Sequence, residues 1–199
     1  MSLNIFIIGP SGCGKTTQAK MIAQKYNLSH FSMGQLLRDE IASGSALGLQ
    51  AKQYVDNGTW APDDLILDIL TSHLQKINNQ NFIIDGFPRV LNQGRNVEYY
   101  LKTINLPFSL LIHLDVTFDE IKKRRELSGQ NFQPTDRTDN TPEAIAQRQK
   151  SYDETINPIL DYFQSVGKLY RVNGNRPVDP IFNDICIKID NLSYTNAII

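Results

Sequence analysis

"GPSGCGKTTQ", residues 9–18, stands directly behind the apolar run "LNIFII" at residues 3–8. Gly9, Gly14, Lys15 and Thr16 have the G-x-x-x-x-G-K-[ST] spacing of a phosphate-binding P-loop. Glycines let the backbone curl so that successive N–H groups point inward at phosphate oxygens. The helix that follows aims the positive end of its dipole at the same point. With glycine at about 7% of average usage, a chance match in a chain of this size is about one in a hundred. The context also fits, because "TTQAKMIAQKY" (16–26) sets Ala19, Ile22, Ala23 and Tyr26 on one helical face behind a strand. The stretch reads as a site for a nucleoside triphosphate, with the phosphate acceptor left open.

The bulk properties narrow the class. At 199 residues the chain can bury one full core. Twenty basic against 21 acidic residues, net charge −1, argue against a nucleic-acid or anionic membrane surface. Cys13 and Cys186 are the only cysteines and lack metal-binding or disulfide-framework spacing, so no zinc is expected. No apolar run approaches the ~20 residues of a membrane span, and the chain enters a strand at once. A cytoplasmic protein without a membrane or nucleic-acid partner is expected, and a monomer.

Short apolar runs alternate with amphipathic helical stretches. The runs are "NIFII" (4–8), "LSHF" (28–31), "FII" (82–84), "SLLIHL" (109–114) and "KLYRV" (168–172). Asp63 and Asp64 follow Pro62 at one helix start, and Thr141-Pro142-Glu143 opens another, which Pro158 should kink or break midway. "PIFNDICIKI" sets Ile181, Ile185 and Ile189 one above another as a closing helix. This alternation predicts an α/β fold with a parallel sheet covered on both faces. Residues 33–62 hold two short helical patterns with no strand between them, and 126–137 are polar without periodicity. Both read as excursions from the core, where active-site lids commonly sit.

"FIIDGFPR" (82–89) closes an apolar run with Asp85 and turns at Gly86 and Pro88 to deliver Arg89. A carboxylate ending a buried strand beside a P-loop is placed for Mg²⁺ or one of its waters. Arg38, Arg89, Arg125, Arg137 and Arg148 form a second set of candidates. Phosphoryl transfer between two nucleotides gathers negative charge in one cleft, and guanidinium groups clamp it bidentately. Singly, each arginine is as readily a solvated helix face.

Together these stretches resemble the adenylate kinases and the wider nucleoside monophosphate kinase family. "GPSGCGKTTQ" is similar to that family's G-x-P-G-x-G-K-G-T-Q loop, and "FIIDGFPRVLNQ" to D-G-F-P-R-x-x-x-Q. "FSMGQLLRDEIASGSALGLQAKQYVDNGTWAPDDL" (31–65) looks like the monophosphate-binding segment, and "DRTDNTPEAIAQRQKSY" (136–152) like the R-x-D-D…R-x-x-x-Y region after the lid. The resemblance spans nearly the whole chain. It implies a three-layer P-loop fold with a five-stranded parallel sheet. The core would be 1–32, 63–125 and 138–199, the monophosphate-binding segment 33–62 and a short lid 126–137.

It also implies roles. Gly9, Gly12, Cys13, Gly14, Lys15, Thr16 and Thr17 would hold ATP, with Arg125 stacked on its adenine. Ser32, Met33, Gly34, Arg38, Thr59, Trp60, Ala61, Gly86, Arg89 and Gln93 would hold the monophosphate, Gln93 reading its base. Arg89, Arg137 and Arg148 would clamp the transferring phosphates, oriented by Asp139. Asp85, through water, and Thr16 would serve Mg²⁺. The implied activity is reversible ATP + AMP to two ADP, with kinases of UMP, CMP or another monophosphate, or a sensor without turnover, as alternatives.

Departures from the family pattern are informative. Thr16 replaces a usual glycine, Met33 a threonine at the acceptor-base pocket, Gln35 an aspartate and Asn140 a second aspartate. Gln130 stands where a further lid arginine is common, removing a charged hydrogen bond worth ~1.5–3 kcal/mol. Trp60 reads equally as a base-stacking wall or as packing. His30, His73 and His113 read as satisfied structural histidines, since an anionic phosphate attacks without a general base. Cys13 reads as a small residue whose place at a helix start could make its thiol reactive.

Overall fold

The structure, a computed structural model, describes residues 2–56, 61–127 and 142–195. Five parallel strands, β1 (Asn4–Ile8), β2 (Ser29–Ser32), β3 (Phe82–Asp85), β4 (Leu110–Asp115) and β5 (Leu169–Asn173), form one sheet in the order β2-β3-β1-β4-β5. The helices between them are α1 (Lys15–Tyr26), α2 (Met33–Ser43), α3 (Ala46–Asp56), α4 (Asp63–Lys76), α5 (Leu91–Thr103), α6 (Phe118–Leu127), α7 (Pro142–Ser165) and α8 (Val178–Thr195). The sheet is buried on both faces, so in "NIFII" the run after Asn4 is continuously apolar rather than alternating.

On one face Phe6, Ile8, Phe82, Ile84 and Leu111 pack with residues of α4, α5 and α7, and with Met33 and Leu36 of α2. Phe6 stacks on Phe108 at 4.4 Å and meets Phe82 edge-on at 5.7 Å. On the other face Ile5, Ile7, Ile83, Leu110 and Ile112 meet Ala19 and Ile22 of α1 and the predicted Ile181-Ile185-Ile189 stripe of α8. These two apolar layers enclose the sheet, giving the three-layer architecture expected.

Some local expectations shift. Apolar content ends the second run at Phe31, but ladder pairing carries β2 on to Ser32, opposite Asp85. Pro158 does not break α7, which runs continuously through it. Proline removes the hydrogen bond to the Glu154 carbonyl. Buried Ile156 before it, and Ile159, Leu160 and Phe163 after it, hold the helix against the sheet. The excursion 33–62 contains α2 and α3 without an intervening strand, while most of the expected lid lies outside the described residues.

Candidate active site

The C-terminal ends of the central strands form one edge. Ile7 pairs with Asp85, Asp85 with Ser32, and Ile8 with His113. The connection from β3 to β4 crosses β1, so the sheet's two halves part at β1, whose end is the P-loop. In open α/β sheets, ligands bind in such a crevice.

The P-loop glycines earn their places individually. A Cβ on Gly9 would lie 2.7 Å from the Leu114 carbonyl oxygen and 2.8 Å from Cys13 Sγ, so no side chain fits. Gly12 and Gly14 have φ of 87° and 97°, in the range that favours glycine. The loop closes with Cys13 N–H donating to the Pro10 carbonyl at 3.3 Å, and α1 begins at Lys15. Thr16 and Thr17 are exposed on its first turn. Lys15 Nζ donates to the Pro10 carbonyl at 3.1 Å, and its Cε would sit 3.7 Å from a Cβ on Gly86. The lysine therefore bridges the P-loop and the turn after β3.

That turn carries the second group of predicted residues. Asp85 is only 3% exposed, and one carboxylate oxygen lies 2.8 Å from His30 Nε2. Gly86 (φ 76°) and the cis Phe87–Pro88 bond lead to exposed Arg89, whose Nε donates to the Gly86 carbonyl at 3.1 Å. The Arg89 backbone N–H donates to Gln93 Oε1 at 2.9 Å, and Gln93 Nε2 donates to Asp63 Oδ1 at 2.9 Å. Gly86, Arg89, Gln93 and Asp63 thus form one continuous run of hydrogen bonds, with the Lys15 side chain beside Gly86.

Other predicted residues lie on α2 and α7. Arg38, on α2, donates to Gln35 one turn earlier, and Gln35 donates to Asp39 at 2.7 Å. Met33 is 3% exposed and packs in the apolar layer beneath α2. Ser32 and Gly34 flank it at half-buried positions, and Ala61 leans on the same layer. Arg148 is half-buried on α7. Thr59, Trp60, Gln130, Arg137, Asp139 and Asn140 lie outside the described residues, as does the side chain of Arg125.

Sequence reasoning passed over three participants. Arg124, not considered beside Arg125, has its guanidinium under the P-loop, donating to the carbonyls of Cys13 (3.0 Å), Gly174 and Arg176 (3.2 Å). Its signal was helical phase: it lies three residues beyond buried Ile121 and pairs with Glu120 one turn back at 2.8 Å. His30 grips Asp85 from a strand position that nothing in its sequence neighbourhood distinguishes, and Asp63 reaches Gln93 across 30 residues. The histidines are not all satisfied, because His113 Nδ1 is buried without a hydrogen-bond partner among the described residues. Burial, with Arg171 adding to it and Asp115 opposing, lowers the His113 pKa. The Cys13 thiol is wholly enclosed, which removes the access that the expected reactivity requires.

Among the described residues no helix is long and apolar enough to cross a membrane. A family model described as adenylate kinase matches residues 7–168. An adenylate kinase of Bacteroides fragilis is 37% identical over 191 residues, covering 96% of this chain and all of the relative. One from Prochlorococcus marinus is 36% identical over 185 residues (93% and 97% of the two chains), and one from Chloroherpeton thalassium 32% over 211 (92% and 96%). With the P-loop, the Asp85–Arg89 turn and the β2-β3-β1-β4-β5 sheet in place, this chain belongs to the adenylate kinase family of phosphotransferases.

Proposed function

We propose that the protein transfers the γ-phosphoryl group of ATP to AMP, reversibly, giving two ADP. The observation that carries this reading is the Lys15 side chain lying over Gly86. It sets the triphosphate loop of β1 against the Asp85–Arg89 turn of β3, the two groups the reaction must join. In the forward direction an oxygen of the AMP phosphate bonds to the γ phosphorus, and the bond from that phosphorus to the β–γ bridging oxygen breaks. The attacking group is already anionic, so the protein's task is positioning and charge neutralisation. Lys15 and the loop amides hold the donor, Arg38 and Arg89 the acceptor phosphate, and Arg125, Arg137 and Arg148 the donor adenine and transferring charge.

The residues present fit a magnesium ion. Asp85 and Thr16 are hard oxygen donors at the phosphate edge, and His30 occupies only one Asp85 oxygen. Magnesium is usually held by one or two such groups with water and substrate phosphates. Among the described residues no set of three or more His, Cys, Asp or Glu side chains forms a metal cluster. The ion, when bound, would offset the charge that develops on the phosphoryl oxygens.

Gln93 is the proposed reader of the acceptor base, with residues 33–62 as the acceptor-binding segment and the enzyme acting as a monomer. The test is kcat/KM with saturating MgATP for AMP, GMP, CMP and UMP. AMP is expected to be the best acceptor. CMP or UMP ahead of AMP would make the protein a pyrimidine monophosphate kinase, and ATP binding without any acceptor turnover would make it a sensor.

A further inference from the structure

Gln93 is 6% exposed, and its side-chain amide is held at both ends. Oε1 accepts from the Arg89 backbone N–H, and Nε2 donates to Asp63 Oδ1, both at 2.9 Å. A backbone N–H can only donate and a carboxylate can only accept. Turning the amide over would set oxygen against the carboxylate and N–H against N–H, so one orientation is fixed twice. Among the described residues each end keeps one unused position: the second Nε2 hydrogen and the second lone pair of Oε1. Any residue but proline at position 89 supplies the backbone donor, whereas the acceptor at the other end is the side chain of Asp63.

We infer that Asp63, at the first turn of α4, is a specificity-positioning residue that fixes the order in which Gln93 presents its donor and acceptor to the acceptor base. This rests on the proposal that Gln93 reads that base. The 6-aminopurine edge offers an acceptor, N1, beside a donor, the amino group. The 6-oxopurine edge offers the reverse, N1–H beside O6. An amide free to turn serves both edges, whereas one that is held pairs with a single edge and leaves the other with unpaired polar groups. Discrimination of this type reaches large factors because a buried group without a partner is costly. AMP and IMP have nearly the same shape and differ in this edge, which makes them the informative pair.

The experiment measures kcat/KM for AMP and IMP with MgATP on the wild type, Asp63→Ala, Asp63→Asn, Gln93→Ala and the Asp63→Ala/Gln93→Ala double variant. Asp63→Asn keeps the size and much of the helix-start character of Asp63, so it covers the case in which the alanine variant folds poorly. An asparagine amide can face either orientation of Gln93, so it also releases the order. Each Asp63 variant is expected to lower the AMP-to-IMP ratio by about tenfold or more. KM for ATP should stay near wild type, and the double variant should be no less selective than Gln93→Ala alone. If Gln93→Ala leaves the ratio unchanged, Gln93 does not read the base and the underlying proposal fails. If Gln93→Ala lowers the ratio and neither Asp63 variant does, Asp63 does not set the order. If Asp63→Ala lowers the ratio equally with and without Gln93, Asp63 acts on its own and the inference is overturned.

Discussion

His113 Nε2 and the Tyr152 hydroxyl are 2.7 Å apart, a hydrogen bond that joins the end of β4 to α7. Tyr152 is one helical turn beyond Arg148, so both share a face of α7. Burial first, with Cys13, Asp115 and Asp153 adding to it, raises the Tyr152 pKa and keeps the hydroxyl protonated. The pair therefore ties α7 to the sheet one turn from Arg148. Tyr152→Phe is expected to cost about 1 kcal/mol of stability and to lower kcat several-fold with little change in KM for ATP. Chemical denaturation and steady-state kinetics check the two parts. An unchanged kcat in a destabilised variant would leave the pair a purely structural tie.

The same histidine gives a pH dependence with a definite sign. Burial holds the folded pKa of His113 below its ordinary value of 6.5. The unfolded chain therefore takes up a proton near pH 6.5 while the folded protein does not. The stability tied to His113 is complete above about pH 6.5 and is lost as pH falls from there towards the folded value. His113→Gln removes the titration, so the gap between its Tm and that of the wild type should narrow or reverse between pH 7.5 and 5.5. A constant gap across that range would refute the assignment.

Lys15→Met should lower turnover by ~10²–10³ while the fold survives. Lys15 is half-buried and, among the described residues, its ammonium donates to the Pro10 carbonyl, so its loss opens no core cavity. Losing that hydrogen bond costs about 1 kcal/mol. Near-wild-type activity in the folded variant would exclude this loop as the donor site.

Two glycine substitutions should separate steric from conformational cost. Gly44, which caps α2 at φ 69°, has nothing within 4 Å of an added Cβ. Gly44→Ala should therefore cost only about 1–2 kcal/mol, the penalty of a left-handed backbone. Gly9→Ala drives a methyl group into the Leu114 carbonyl oxygen and the Cys13 thiol. It should be destabilising by up to about 3 kcal/mol, and it should also weaken ATP binding, which Gly44→Ala should not. Denaturation midpoints and ATP titrations of both variants check this contrast.

The fold was legible because its signals are local. The strands are short apolar runs, α1 and α8 carry one-sided stripes, and the P-loop pattern names its own neighbours. Of the kink or break expected at Pro158, the break does not occur, and buried residues on both sides of the proline pack the helix against the core. The site was legible only where a motif spans a single turn, as at 9–17 and 85–93. His30 on Asp85, Asp63 on Gln93 and Arg124 beneath Cys13 are contacts made by tertiary folding across 55, 30 and 111 residues. Such spacing leaves no periodic trace.

The position of β1 has a consequence for how the chain assembles during synthesis. It is the first strand made, yet it occupies the middle of the sheet, and its partners are Phe82–Asp85 and Leu110–His113. Until more than a hundred residues have been made, "NIFII" has no strand on one of its two sides. Apart from Asn4 it is an apolar, isoleucine-rich segment, the composition that pairs with other chains when exposed. The nascent protein therefore carries this strand with both sides open until β3 is made and with one side open until β4 is made, and folding is completed by late-made elements closing around an early-made one. Cellular yield should depend on chaperone occupancy at the N-terminal end of the chain and be relieved by slower initiation.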